Sequence, residues 1–155
     1  MKLRVVALGH KMPAWVDAGF EDYARRMPRD LSLELTALKP EARNQGKPVA
    51  VLLAAEAQRV GAACKDARVI ALDEHGRSWT TRELATHLAQ WRNDARDVAF
   101  VIGSADGLDA SVKRHAAQTV ALSALTLPHG LVRVIVAEQL YRAASLLSGH
   151  PYHRD

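Results

Sequence analysis

The stretch Val98-Ala99-Phe100-Val101-Ile102, stopped by Gly103, decides the fold class. Five apolar residues in succession do not alternate with polar ones, so a strand built from them hides both of its faces. Leu3 to Leu8, ending at Gly9, and Val69 to Leu72, ending at Asp73, read the same way. Helical patterns lie between these runs. Doubly buried strands alternating with helices predict a mostly parallel α/β sheet with helices on both faces. No linker divides residues 1–155, so a single domain is expected. Ligands of such sheets bind beyond the carboxyl ends of the strands. The loops after Leu72, after Ile102 and after a further strand expected at Val120–Leu125 are therefore where chemistry is sought.

Working outward, Pro13 opens a helical segment that runs to Met27, and proline suits a helix's first turn. Leu31, Leu33, Leu35 and Ala37 alternate with polar residues as in a half-buried strand. Lys39 to Pro48 is polar, holds Pro40 and Gly46, and reads as a mobile loop. Val49 to Cys64 is alanine-rich and helical. Asp73 to Ser78 reads as a turn around Gly76. Thr80 or Thr81 can cap a helix from Arg82 to Asn93, with Glu83 placed early where a negative charge suits the helix dipole. A short helix spans Asp109 to Ala117, and Pro128 opens the longest one, ending near Gly149. That last helix is apolar on more than one face. A fully buried central helix explains this, but a second subunit is the simplest cover, so a homodimer is expected.

The chain has 155 residues and a mass of 17.0 kDa, enough to bury roughly 70% of its unfolded surface. With 48% hydrophobic and 25% charged residues it is neither disordered nor low-complexity. Aromatics contribute only 5%, so the core is aliphatic. The net charge of +4 suits a polyanionic partner and equally an ordinary soluble surface. One cysteine, Cys64, allows no intrachain disulfide, thiolate zinc site or redox dithiol. The N-terminal apolar run is too short for a secretory leader, and no stretch approaches about 18 apolar residues, so a cytoplasmic location away from membranes is expected.

Three motifs stand out. Gly103-Ser104-Ala105-Asp106-Gly107 follows a strand and precedes a short helix; it is neither a dinucleotide fingerprint nor a P-loop, and alone it is an ordinary strand-to-helix turn. Leu122-Ser123-Ala124-Leu125-Thr126-Leu127-Pro128-His129 carries no fixed charge and runs into a proline-opened helix. It can offer backbone groups to a flat heterocycle, or it can be a loop that satisfies its own backbone. The ending His150-Pro151-Tyr152-His153-Arg154 joins aromatic and cationic groups on a proline-stiffened tail. Termini are usually idle, but this set suits stacking on a base, contacting phosphate and taking up a proton. No carboxylate or thiolate framework accompanies the histidines, so no metal is expected. His10, His75, His87 and His115 read as surface residues.

Together these pieces are specific. Met1-Lys2-Leu3 with Val5-Val6-Ala7-Leu8-Gly9 and Lys11-Met12-Pro13, the strand Val69–Asp73, Ser123–His129 followed by Leu131-Val132-Arg133, Glu138–Ala143 and His150–Arg154 resemble the RlmH family of the SPOUT superfamily. The resemblance spans essentially the whole chain. It implies a homodimeric α/β enzyme with a C-terminal trefoil knot. The implied reaction uses S-adenosylmethionine to methylate N3 of pseudouridine 1915 in helix 69 of 23S rRNA. It further implies that Leu72, Gly103 and the segment Leu122, Ser123, Ala124, Leu125, Thr126 and Leu127 hold the methyl donor.

One departure from the family pattern stands in the glycine turn, where Gly-Gly-Pro-x-Gly is usual and Ser104 and Ala105 replace the second glycine and the proline. A lesser one is Gly130 where a proline often stands. For the chemistry, His153 is the expected acceptor of the N3 proton, or Arg142 and Arg154 stabilise the developing anion, with Tyr152 stacked on the extruded base. His129, Arg133 and Arg154 are the expected RNA contacts. The competing readings are a related methyltransferase acting on another RNA uridine, and an RNA-binding module that has lost its cofactor.

Overall fold

The structure is a computed structural model and describes residues 1–153. Five strands form one sheet: β1 (Lys2–Leu8), β2 (Ser32–Leu38), β3 (Arg68–Ser78), β4 (Val98–Ile102) and β5 (Gln118–Ala121). Their order is β2-β1-β4-β3-β5, and every pairing is parallel. Between them run α1 (Ala14–Ala24), α2 (Val49–Ala63), α3 (Thr81–Asp94) and α4 (Ala110–His115), and α5 (His129–Ser148) follows β5.

Strand β4 is central, and all five of its residues are buried. Its side chains alternate between two cores, as the two-residue period of a strand requires. Val98, Phe100 and Ile102 join Leu3, Val5 and Ile70 under α1, α3 and α5, while Ala99 and Val101 join Val6, Leu8 and Ala71 under α2 and α4. Helices therefore cover both faces. Cys64 lies in the second core, where burial pushes its thiol up to about 11.

Local signals fix several boundaries. Thr80 caps α3 by accepting from the Glu83 N–H, and the Glu83 carboxylate accepts from the Thr80 N–H; such caps contribute roughly 1 kcal/mol. Asp109 caps α4 through Ser111. Gly149 closes α5 in the left-handed region, with φ of 67°.

Two boundaries differ from the sequence expectation. Strand β5 stops at Ala121 rather than Leu125, which frees residues 122–127 as a loop. The segment Asp73–Ser78 is not a simple turn that ends its strand. Leu72 and Arg77 both pair with Val120, so residues 73–76 bulge out of β3 and the strand resumes. Gly76 permits the return, because a Cβ there would stand 2.6 Å from the Val120 backbone.

Helix α5 packs against both α1 and α3. Val134, one of the apolar side chains of α5, fits against Gly19 of α1, whose Cβ position lies 3.2 Å from both Val134 methyls. Much of the apolar character of α5 is thus accounted for within one chain. Trp15 (56% exposed), Leu125 (77% exposed), Leu122, Leu147, Val49 and Val51 are the large apolar side chains left exposed among the described residues.

Candidate active site

The ends of β3, β4 and β5 enclose a cavity of about 700 Å³. Its walls are the β3 bulge with Asp73 and His75, the turn Gly103–Gly107 after β4, the loop after β5, and His129 and Val132 at the start of α5. These are the three strand ends that sheet logic selects. Leu72, Gly103, Leu122, Ser123, Leu125, Thr126 and Leu127 all line it, whereas Ala124 sits in the same loop without lining it.

Gly103 is required by close approach. A Cβ at this position would stand 2.5 Å from the carbonyl carbon of Gly107 and 2.6 Å from its oxygen, so the turn folds back on itself with no room for a side chain. The Gly107 N–H donates to the Ser104 carbonyl at 2.9 Å and closes the turn. Ser104 sends its hydroxyl to Glu56 of α2 at 2.9 Å and accepts from Arg43 at 2.8 Å. The segment expected to be a mobile loop is tied down there by Arg43.

On the opposite side, the Nδ1 atom of His129 lies 2.9 Å from the Gly103 carbonyl, and Arg133 Nε donates to His129 Nε2 at 3.1 Å. A guanidinium can only donate, so Nε2 must accept and Nδ1 must carry the proton that reaches Gly103. Burial, then the charge of Arg133, hold the His129 pKa below its usual value, against the hydrogen bond to Gly103. The imidazole is therefore neutral and its tautomer is set.

Asp73 accepts from the His75 N–H at 2.9 Å and from Lys113 Nζ at 3.3 Å. Burial alone would raise its pKa, but these bonds outweigh it and keep the carboxylate charged at the cavity wall. The cavity thus combines apolar lining from Leu72, Ile102 and Val120, the 122–127 loop and a fixed carboxylate, which suits a polar molecule with a flat heterocycle.

The family model described as a predicted SPOUT methyltransferase matches residues 1–153. The chain belongs to the SPOUT methyltransferase family. The ribosomal RNA large subunit methyltransferase H of Burkholderia thailandensis is 57% identical to this SPOUT methyltransferase over 99% of both chains, and that of Burkholderia multivorans is 55% identical over the same shares. A probable methyltransferase from Bordetella pertussis has the same fold, with a TM-score of 0.59 and 21% identity over 92% of this chain and 93% of its own. An RNA methyltransferase described as putative from Bacillus anthracis follows, at 0.55 and 14%, over 97% and 96%.

Of the other predicted site residues of this SPOUT methyltransferase that the structure describes, His129 lines the cavity, whereas Arg133, Arg142, Tyr152 and His153 do not. Arg133, expected to meet RNA, is 1% exposed, and its guanidinium is committed to His129 and the Gly9 carbonyl. It braces the fold and cannot reach a nucleic acid. Both ring nitrogens of His129 are likewise occupied, so it supports the cavity wall and offers RNA no free nitrogen.

Tyr152, expected to stack on a base, already packs on Tyr141 with centroids 4.6 Å apart and donates to Glu138 at 3.0 Å. Burial, with bonds to Tyr23 and Glu138, pushes its pKa upward. Arg142 pairs with Glu138 at 2.6 Å and stands over the Tyr152 ring at 5.0 Å. His153 Nδ1 lies 3.4 Å from the Ser145 hydroxyl. Arg154 lies outside the described residues.

Sequence reasoning missed Arg43, Glu56 and Lys113. Their partners lie 40 to 63 residues away along the chain for Lys113–Asp73 and Arg43–Asp106, and no local pattern announces such pairs. Asp73 was the one visible signal, a charge closing a doubly buried strand.

Proposed function

We propose that this SPOUT methyltransferase uses S-adenosylmethionine to methylate N3 of a pseudouridine in helix 69 of 23S rRNA. The observation that carries the reading is the pairing of 57% identity to an enzyme named ribosomal RNA large subunit methyltransferase H, over 99% of both chains, with a cavity at the strand ends that takes in seven of the eight expected donor-binding residues. The fit of the donor rests on the cavity itself. Gly103 leaves the end of β4 free of a side chain where the turn folds back, the 122–127 loop offers backbone partners, and Asp73 is a fixed acceptor facing a cationic ligand. S-adenosylmethionine supplies, when bound, an electrophilic methyl group on a positively charged sulfur.

The chain's own residues have three tasks. Leu72, Leu122 and Leu125 give the adenine an apolar slot, and 122–127 carries the backbone groups that read its edge. His129 and Arg133 keep the Gly103 carbonyl in place. His153 accepts the N3 proton, while Arg142 and Arg154 offset the charge that develops on the base. Tyr152, held by Glu138 and Tyr141, fixes the tail beside α5 so that His153 and Arg142 are presented together.

A homodimer completes this arrangement. No tail residue among those described lines the cavity. His153 stands beside Ser145, about 24 Å along α5 from His129 at roughly 1.5 Å per residue. A second copy can bring its tail to the cavity of the first, and Leu125 at the cavity mouth is exposed for that contact. The C-terminal trefoil knot belongs to the same proposal. No helix among the described residues is long and apolar enough to cross a membrane.

The test is incubation of purified large subunits and assembled ribosomes with labelled S-adenosylmethionine, followed by mapping of the modified nucleotide. Label at a pseudouridine N3 in helix 69 is the expected result. Label elsewhere, or none with either substrate, refutes the assignment.

A further inference from the structure

Arg43 lies in the connection between β2 and α2 and does not line the cavity, yet all five of its N–H donors are engaged beside it. Nη1 donates to the Glu41 carbonyl at 2.7 Å and to Glu56 at 3.2 Å; Nη2 donates to Glu56 at 2.9 Å and to the Ser104 hydroxyl at 2.8 Å; Nε donates to Asp106 at 3.0 Å. A guanidinium has five such donors in a rigid fork, so its hydrogen-bonding capacity is filled. Glu56 is 1% exposed and also accepts from the Glu41 N–H and the Ser104 hydroxyl. Burial pulls the Glu56 pKa up, but the bonds from Arg43, Ser104 and Glu41 outweigh it and leave the carboxylate charged.

The two polar side chains of the Gly103–Gly107 turn, Ser104 and Asp106, are therefore gripped by one cation, and the Gly103 carbonyl is gripped from the other side by His129. The bonds that reach this turn join parts of the chain that lie 26 to 63 residues apart. Their common product is a single conformation of the turn.

We propose that Arg43 is a positioning residue for the methyl donor: through Glu56, Ser104 and Asp106 it fixes the Gly103–Gly107 turn in the shape the donor needs, and so sets donor affinity. The inference rests on the reading that this cavity takes S-adenosylmethionine. A turn that must be ordered by the ligand costs binding free energy, and one already ordered does not. Because Arg43 and Glu56 do not line the cavity, their effect falls on donor binding and not on the methyl transfer itself.

The experiment is calorimetry with S-adenosylmethionine on the full chain and on Arg43→Ala, Arg43→Lys, Ser104→Ala and the Arg43→Ala/Ser104→Ala double variant, with steady-state rates on ribosomes. Circular dichroism establishes folding first. Arg43→Ala is expected to weaken donor binding about tenfold and to raise the donor KM equally, with kcat within about twofold of wild type. Ser104→Ala should lose about threefold, and the double variant should be no weaker than Arg43→Ala, since both changes open one clamp. Arg43→Lys should not recover affinity, because an ammonium cannot span Glu56, Ser104 and Asp106 at once.

Wild-type affinity in the folded single variants, additive losses, or a loss confined to kcat each overturn the proposal. If Arg43→Ala does not fold, Ser104→Ala, which leaves the Arg43–Glu56 pair standing, decides by the same criterion. A wild-type chain that binds no donor overturns the cofactor reading as well, whereas wild-type binding with unchanged variants overturns only the role of Arg43.

Discussion

Arg133 donates a hydrogen bond to the carbonyl of Gly9, 124 residues earlier in the chain, and so ties the first turns of α5 to the tip of β1. The same guanidinium holds His129 through Nε. Burial lowers the Arg133 pKa, opposed by the charge of Asp17, but a guanidinium remains charged at any working pH. Arg133→Leu keeps much of the volume and removes the buried charge, which by itself is near neutral. It also leaves the Gly9 carbonyl and the His129 Nε2 without their donor, at about 1–3 kcal/mol for each buried group. The second effect should win. Urea denaturation is expected to give a loss of roughly 2–4 kcal/mol, and a variant as stable as the wild type would remove Arg133 from the scaffold.

His129 gives this scaffold a pH dependence with a definite sign. Its folded-state pKa is lowered from 6.5, first by burial and then by the charge of Arg133. The unfolded chain therefore takes up a proton before the folded chain does, and stability is complete above about pH 6.5. It is lost as the pH falls toward the folded-state value and levels off below it. His129→Asn should show a flatter profile across this window, measured by thermal or urea unfolding between pH 7.5 and about 5. Parallel profiles for the two proteins would exclude His129 as the source.

The unbroken run of β4 and a helix start at Thr80 or Thr81 with Glu83 early in it were legible because a strand's burial and a helix's first turn are local events in the sequence; the reciprocal Thr80–Glu83 pairing came from the structure. The three strand-end loops followed from topology alone. The bulge at residues 73–76 was not legible, since it depends on Val120 being shared by Leu72 and Arg77. Nor was the role of Arg133: expected to contact RNA, it is instead committed to Gly9 and His129, 124 and 4 residues away along the chain. Ser104 looked like an intruder in a glycine turn, and its meaning depends on Glu56, 48 residues away.

The Gly103–Gly107 contact makes a sharp prediction for the cavity. A methyl group at position 103 would lie 2.5 Å from the Gly107 carbonyl carbon, a distance that backbone atoms cannot absorb without moving. Gly103→Ala should therefore open the turn and displace the cavity wall while leaving the two cores intact. Binding of S-adenosylmethionine is expected to weaken by at least about tenfold in calorimetry, with a melting temperature within a few degrees of wild type. Retained affinity would mean that this turn does not contact the donor.

The placement of the tail decides whether one chain can act alone. His153 lies beside Ser145, far along α5 from the cavity, while Glu138 and Tyr141 hold Tyr152 in that position. In the proposed homodimer a tail held there serves the cavity of the second copy. Gly103→Ala disables a cavity but leaves its tail; His153→Ala disables a tail but leaves its cavity. At donor concentrations well below saturation each variant alone should be strongly impaired on ribosomes, Gly103→Ala by at least about tenfold through donor binding and His153→Ala by about 10²–10⁴ through lost general-base help. Unfolding and refolding the two together should form mixed dimers that contain one sound cavity and one sound tail from opposite chains. With random pairing, about half the dimers are mixed and each has one of two sites working, so activity should return to roughly a quarter of wild type. A tail acting on its own chain would meet a disabled cavity in every mixed dimer, and mixing would restore nothing.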